Sequence, residues 1–209
     1  TDGAASIEKM AEAAFAAGLE YLAMTDHTKS LAMTGGLDER GLAKQGKEIE
    51  RVNATLAAQD KKFVVLKGAE VNIMKDGRLD IRDSALEQLD FAGAAVHSLF
   101  RLPRREQTER IVRAMRNPHV DVILHPTGRL IHRRDPMDLD FERVLRVAKE
   151  TRTALEINAH PDRTDLSDAH VRLAVKMKVR LIVSTDAHDP SHLRYLELGE
   201  ATARRGWAS

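Results

Sequence analysis

Cysteine is absent from this chain. That excludes disulfides and thiolate metal sites. Any metal must be held by nitrogen and oxygen donors, which suits Zn, Mn, Fe or Mg better than a thiolate-bound structural zinc. A cytoplasmic location is the matching expectation. Strong charge of one sign is also missing. The net charge is +1, so no global basic field marks a nucleic-acid coat protein, and contact with a polyanion must come from a local patch. No apolar run approaches the ~20 residues that span a bilayer, and no signal-peptide pattern opens the sequence. There is no glycine-rich phosphate loop, Walker motif or dinucleotide fingerprint, and no Gly-x-Ser-x-Gly elbow. Nucleotide-driven and serine-hydrolase chemistry are therefore poorly supported.

What is present is a 209-residue chain, 43% hydrophobic and 31% charged, enough for one domain with a real core. Helical and extended patterns alternate. Ser6 caps a helix whose apolar face is Ile7, Met10, Ala11, Ala14 and Phe15, with Gly18 as its stop. Further helices are expected over 37–58, 83–89, 106–116, 141–150, 167–177 and 190–205. Apolar strands are expected over 21–25, 63–69, 91–96, 120–124, 153–158 and 180–183. This βα rhythm without hairpins predicts a parallel sheet. Catalytic groups of parallel barrels sit at the C-terminal strand ends. Here at least five strands end in an acid or an imidazole. An open doubly wound sheet would gather its ligands at one switch point, so a closed or nearly closed barrel is favoured.

Those strand ends are Thr25-Asp26-His27, Gly68-Ala69-Glu70, His97, His125 and Asp186-Ala187-His188. A Glu within an apolar strand is costly unless paired or metal-bound, so Glu70 reads as a ligand, although alone it also reads as a salt-bridged carboxylate. One His ending a strand is more often a core residue; two, with an acid nearby, shift the balance towards metal. Asp26 with His27, and Asp186 with His188, can serve one ion, two ions, or a ligand and its orienter. Asp2, in Asp-Gly before a helix, is by itself structural. Glu156 and Asn158 read either as core or as support for the ligands. His119, His132, His170 and His192 read as solvated. Arg129, after His125-Pro126-Thr127-Gly128, can grip a phosphate. Arg104-Arg105 and Arg133-Arg134 read as solvated loop charges or as holders of a phosphodiester backbone. Asp, Glu and His ligands without a redox cofactor favour hydrolysis: two ions activate water and clamp a phosphoryl oxygen.

Thr25-Asp26-His27, Gly68-Ala69-Glu70, Val96-His97-Ser98, His125-Pro126-Thr127-Gly128-Arg129, Glu156-Ile157-Asn158 and Thr185-Asp186-Ala187-His188 together resemble the polymerase-and-histidinol-phosphatase (PHP) superfamily. Ser98-Leu99-Phe100-Arg101, Asn117-Pro118-His119-Val120-Asp121, Pro161-Asp162-Arg163 and Ala203-Arg204-Arg205-Gly206-Trp207 are similar to the C-terminal PHP domain of bacterial and archaeal family X DNA polymerases. The resemblance covers nearly the whole chain. It implies one domain over 1–209, a distorted seven-stranded TIM-like (β/α) barrel. It also implies up to three divalent ions (Mn2+ or Zn2+), and 3′-5′ exonuclease and related end-processing of DNA beside an N-terminal polymerase domain, with no membrane partner. By position Glu70 would bridge two ions, His97 and His125 would hold the second, and Asp186 would help hold the first. His27, His188 and Asp2 would hold the third, and Asp26 would orient a ligand or be one. Arg129, Arg133, Arg163 and His160 would meet substrate, with Glu70, Asp186 and Arg129 as the catalytic set. The family's first strand carries His-x-His upstream of the Asp-Gly, so the resemblance implies a domain truncated at that strand. His160 stands where the polymerase branch has Asn. The alternatives are a small-molecule phosphatase of the histidinol-phosphatase type, or a catalytically degenerate module bracing a polymerase.

Overall fold

The computed structural model describes residues 2–208. Seven helices and six strands alternate along it: α1 (Ile7–Ala16), β1 (Tyr21–His27), α2 (Glu39–Ala58), β2 (Val64–Asn72), α3 (Asp83–Leu86), β3 (Phe91–Ala95), α4 (Arg104–Met115), β4 (Val122–Ile123), α5 (Phe141–Thr151), β5 (Ala154–Asn158), α6 (Asp168–Met177), β6 (Leu181–Ser184) and α7 (Leu196–Arg205). Short 3-10 turns stand at Ala32–Thr34 and Pro190–Tyr195. Among the described residues no helix is long and apolar enough to cross a membrane.

The helix starts follow local chemistry. Ser6, Asp38, Asp140 and Ser167 each accept a backbone N–H of the first turn of α1, α2, α5 and α6, satisfying one of the donors a helix N-terminus leaves unpaired. Two expectations need correction. The strand expected over 120–124 is only two residues long, because the chain turns outward at His125. The helix expected from 190 is a 3-10 turn followed by α7; Pro190 fits the first turn but supplies no N–H.

All five neighbouring strand pairs are parallel, in the order β1-β2-β3-β4-β5-β6. Parallel pairing puts every C-terminal strand end on one rim. The sheet also curls. In a flat six-stranded sheet β1 and β6 would stand ~24 Å apart at the usual strand spacing. Yet Asp2 lies 3.7 Å from His27, which ends β1, and 3.5 Å from His188, just past β6. The result is an open barrel whose outer edges approach without pairing to each other.

Helices cover the outside. The largest apolar cluster joins α4, α5 and α6 to β3–β6 through residues such as Ile111, Leu145, Leu155, Ile157 and Val171, each worth ~1.5–3 kcal/mol when fully buried. A second cluster packs α1 and α2 on β2 through Met10, Ala14, Ile49 and Val65. Phe15, expected inward, is 37% exposed and meets Phe63 edge-on. Helix α7 lies so close to the sheet that a Cβ at Gly199 would stand 2.4 Å from Val183; only glycine fits there.

One buried cation ties the outer layer to the rim. Arg110 of α4 is 2% exposed and donates to the carbonyls of Ile73, Met74 and Ser98. These belong to the segments just beyond β2 and just after His97. Arg110→Met is expected to leave three inward carbonyls without donors and to cost about 2–4 kcal/mol in urea denaturation. An unchanged midpoint would show that water replaces the guanidinium freely.

Candidate metal centre

Register brings the candidate ligands near one level before any side chain is considered. His27 pairs with Glu70, Glu70 with Gly93, and Gly93 with Val122, so the ends of β1 to β4 stand abreast. Glu70 is 7% exposed, His27 9% and His125 3%. His97 Nε2 lies 2.9 Å and His125 Nε2 2.8 Å from Glu70 Oε1, while His27 Nδ1 lies 3.5 Å from Oε2. One carboxylate thus gathers imidazoles from three neighbouring strand ends. The other face of His27 approaches Asp2, and Asp2 approaches His188. Among the described residues, two donor sets are compact enough to hold an ion: His27, Glu70 and His97, and Asp2, His27 and His188.

Tautomers show that these residues fit a cation. Asn72 donates through Nδ2 to Asp80 and Thr28, which leaves Oδ1 to accept the Nδ1–H of His97 at 2.6 Å. When neutral, His97 therefore presents a bare Nε2 lone pair to the Glu70 carboxylate, and when protonated it donates Nε2–H there. His188 repeats the arrangement. Its Nδ1–H donates to the Asp186 carbonyl at 2.9 Å, and its Nε2 faces Asp2. A lone pair facing a carboxylate calls for a proton or a metal ion between them. His125 Nδ1 is buried without a partner among the described residues, so nothing there competes with Nε2.

Asp186 sits across from Glu70. It accepts from Asn158 Nδ2 at 3.2 Å and Arg163 Nε at 2.9 Å. Asp186 and His125 both have positive φ, 52° and 29°, a conformation L-residues rarely adopt and one that aims their side chains off the strand ends. The loop after His125 is braced by Asp165, which is fully buried and accepts the Thr127 N–H.

The field is uneven. Burial pushes Glu70 up, but hydrogen bonds from His125 and His97 outweigh it and hold the carboxyl well below its usual range. Burial lowers His27 despite the Glu70 charge, favouring the neutral, ligating ring. Burial and Glu70 push Asp186 up, yet His125, Arg163 and His188 keep it low. For His188 burial acts downward, while its bond to Asp186 and the charges of Asp186, Asp2 and Glu70 raise it.

The remaining candidates fall in several places. Asp26 accepts from Gln45 Nε2 at 2.7 Å. Arg129 donates Nε and one Nη to the Arg163 and Thr164 carbonyls, which brace the 160–165 loop. Arg133 is exposed beside Asp162. Arg163 holds Asp186, and its buried Nη1 has no partner among the described residues. His160 stands at the rim, half-buried. The reading of His170 and His192 as solvated is corrected: His170 packs on Phe141, and His192 accepts the His188 N–H and stacks on Tyr195. Reasoning from the sequence missed Asn72 and Asp165. Asn72 carries a usable signal, an amide at the end of an apolar strand two residues from Glu70; Asp165 carries none.

Glu156 is 2% exposed and accepts from His125 N–H and Ser184 Oγ. Burial, then the Asp186 charge, raise its carboxyl to about 8. An unfolded Glu titrates near ~4.3. Between those values the folded chain keeps a proton that the unfolded chain has lost, so this group withdraws stability as pH rises through the window. Glu156→Gln is expected to be more stable than the parent at pH 8.5 and nearly equal to it at pH 4.5, read by urea denaturation in EDTA. A parallel decline of both proteins would contradict that role.

No protein-family model matches the chain. It is 42% identical over 207 residues to the DNA polymerase/3′-5′ exonuclease PolX of Bacillus subtilis, covering 99% of this chain but 36% of that protein. It is 30% identical over 191 residues to a protein named "Probable phosphatase" in Acetivibrio thermocellus, covering 88% of this chain and 73% of that one. In fold it resembles the histidinol phosphate phosphatase HisK of Lactococcus lactis, solved with zinc, L-histidinol and phosphate, at a TM-score of 0.70 and 15% identity, covering 100% of this chain and 90% of that one. The curled parallel sheet, the acids and imidazoles on its rim and these likenesses agree: the chain belongs to the polymerase-and-histidinol-phosphatase superfamily.

Proposed function

We propose that this chain is a metal-dependent phosphoesterase that hydrolyses DNA phosphodiesters from a 3′ end, as part of a family X repair polymerase. The observation that carries the metal-dependent hydrolase is Glu70 with three imidazoles converging on it and their Nε2 or Nδ1 atoms turned inward. The likeness to PolX over 99% of the chain supports DNA as substrate and a polymerase domain as neighbour.

Glu70, His97, His125 and Asp186 would hold one pair of ions, and His27, His188 and Asp2 a third; Mn2+ and Zn2+ both suit these donors. Divalent cations held there supply the Lewis acidity that lets water attack phosphorus near neutral pH. The chain's own groups do the rest. Asn72 and the Asp186 carbonyl fix the tautomers of His97 and His188. Arg163 offers its guanidinium to a phosphate oxygen while Nε anchors it to Asp186. Arg129, with two donors committed to the backbone beside Arg163, works through Arg163, and Asp26 is held by Gln45. Arg133 and His160 at the rim meet the rest of the strand. In the reaction the water oxygen bonds to phosphorus, the P–O3′ bond breaks, and a proton passes to the departing 3′ oxygen.

A second reading is a phosphatase for small monoesters. It is favoured by the Acetivibrio thermocellus relative, most of whose length this chain matches.

The test compares Mn2+-dependent cutting of a single-stranded oligonucleotide with release of phosphate from a small monoester. Glu70→Gln and His97→Ala are expected to lower oligonucleotide cutting at least ~100-fold, as loss of a metal ligand or its partner does, with circular dichroism unchanged. Arg163→Ala is expected to raise KM more than it lowers kcat. Full cutting by Glu70→Gln would remove the metal-centre assignment. Turnover of the monoester alone would decide for the second reading.

A further inference from the structure

The rim beside Asp186 and His188 carries a group of rings outside the metal-binding set. His192 and Tyr195 stack, with centroids 5.1 Å apart and planes 23° from parallel. His160 stands nearly perpendicular to both, 5.8 Å from His192 at 84° and 5.4 Å from Tyr195 at 77°. All three are half-buried. The chain has only two tyrosines, so placing one here in contact with two histidines is a concentration of flat rings at the mouth. The corner is stiff. Asp189 accepts from the Ser191 N–H at 2.8 Å and from Ser191 Oγ at 2.6 Å, and buried Leu193 pins the turn to the core. It is also wired to the centre: the His188 N–H donates to His192 Nδ1 at 3.3 Å. His160 lies three residues before Arg163, which holds Asp186. Arg194 sits 5.6 Å from the Tyr195 ring, bringing positive charge to the same corner.

Half-buried rings of this kind gain little as core. A rigid corner of π-faces with an Arg nearby is what sequence-independent single-strand sites use to stack bases. We propose that His160, His192 and Tyr195 form a stacking site for a nucleobase of the strand whose phosphate lies at the metal centre, making this chain specific for a base-bearing strand. This rests on the DNA reading above and names the residues behind it. An imidazole-bearing monoester has similar ring chemistry, and the test separates the two.

The probe is a single-stranded decamer with 2-aminopurine at its 3′ end, mixed with the chain in Ca2+. Anisotropy of a 5′ dye reports binding, and 2-aminopurine intensity reports stacking. The parent chain is expected to quench the probe severalfold, and Tyr195→Phe to match it. Tyr195→Leu and His160→Ala are expected to lose most of the quench while still binding and keeping parental circular dichroism. A dinucleotide is expected to compete at lower concentration than L-histidinol phosphate. Binding without quench in the parent, an equal quench in Tyr195→Leu, or the reverse order of competitors overturns the stacking site. Flat anisotropy overturns the DNA reading itself, and the stacking site with it.

Discussion

A single buried carboxylate organises this molecule. Glu70 lies inside a parallel sheet, where an uncompensated charge would cost several kcal/mol. It is tolerable only because His27, His97 and His125 arrive from the strands on either side. Their arrival depends in turn on parallel pairing without a register slip. Moving one strand by a single residue would send its ligand to the opposite face. The curled sheet then brings Asp2 and His188 to the far side of His27, so ligands from opposite edges of the sheet share a neighbourhood.

Much of the surrounding structure holds these groups in place. Asn72, fixed by Thr28 and Asp80, selects the His97 tautomer. Arg110 fastens the backbone just past Glu70 and just past His97. Asp165 braces the turn after His125, and Glu156 accepts the His125 N–H. Each is a buried polar group with at least one bond to the rim's backbone or to a candidate ligand, so each is valuable only if the rim stays assembled. Carboxylates with opposed titration stand side by side here. Glu70 and Asp186 are held low and Glu156 is held high, because only the first two face rings and guanidinium that favour the ionised form.

The strands and the meeting of acids and imidazoles at their ends were legible because short apolar runs ended in His, Asp or Glu, a pattern that parallel sheets turn directly into a rim. The helix starts at Ser6 and Ser167 were legible because their side chains cap locally. The length of β4 was not, since the turn at His125 is set by Glu156 of β5 and Asp165 of the loop after it, both remote in sequence. Nor was the corner formed by His192 and Tyr195. In sequence it reads as the start of a helix carrying a solvated His192, and only folding brings His160 against it from another loop. Arg129 illustrates the same limit. Its position after His125-Pro126 suits a phosphate grip, but two of its donors are committed to carbonyls of the 160–165 loop, which no local pattern reveals.

The account rests on bare imidazole nitrogens and carboxylates facing one another across a space that suits a cation. The most direct measurement is calorimetric titration of the metal-free chain with Zn2+ or Mn2+ in two buffers of different ionisation enthalpy. At least one ion per chain is expected to bind with release of protons, as cations displace them from between rings and carboxylates, and Glu70→Gln is expected to abolish that event. No binding, or binding unchanged by Glu70→Gln, would contradict the central claim.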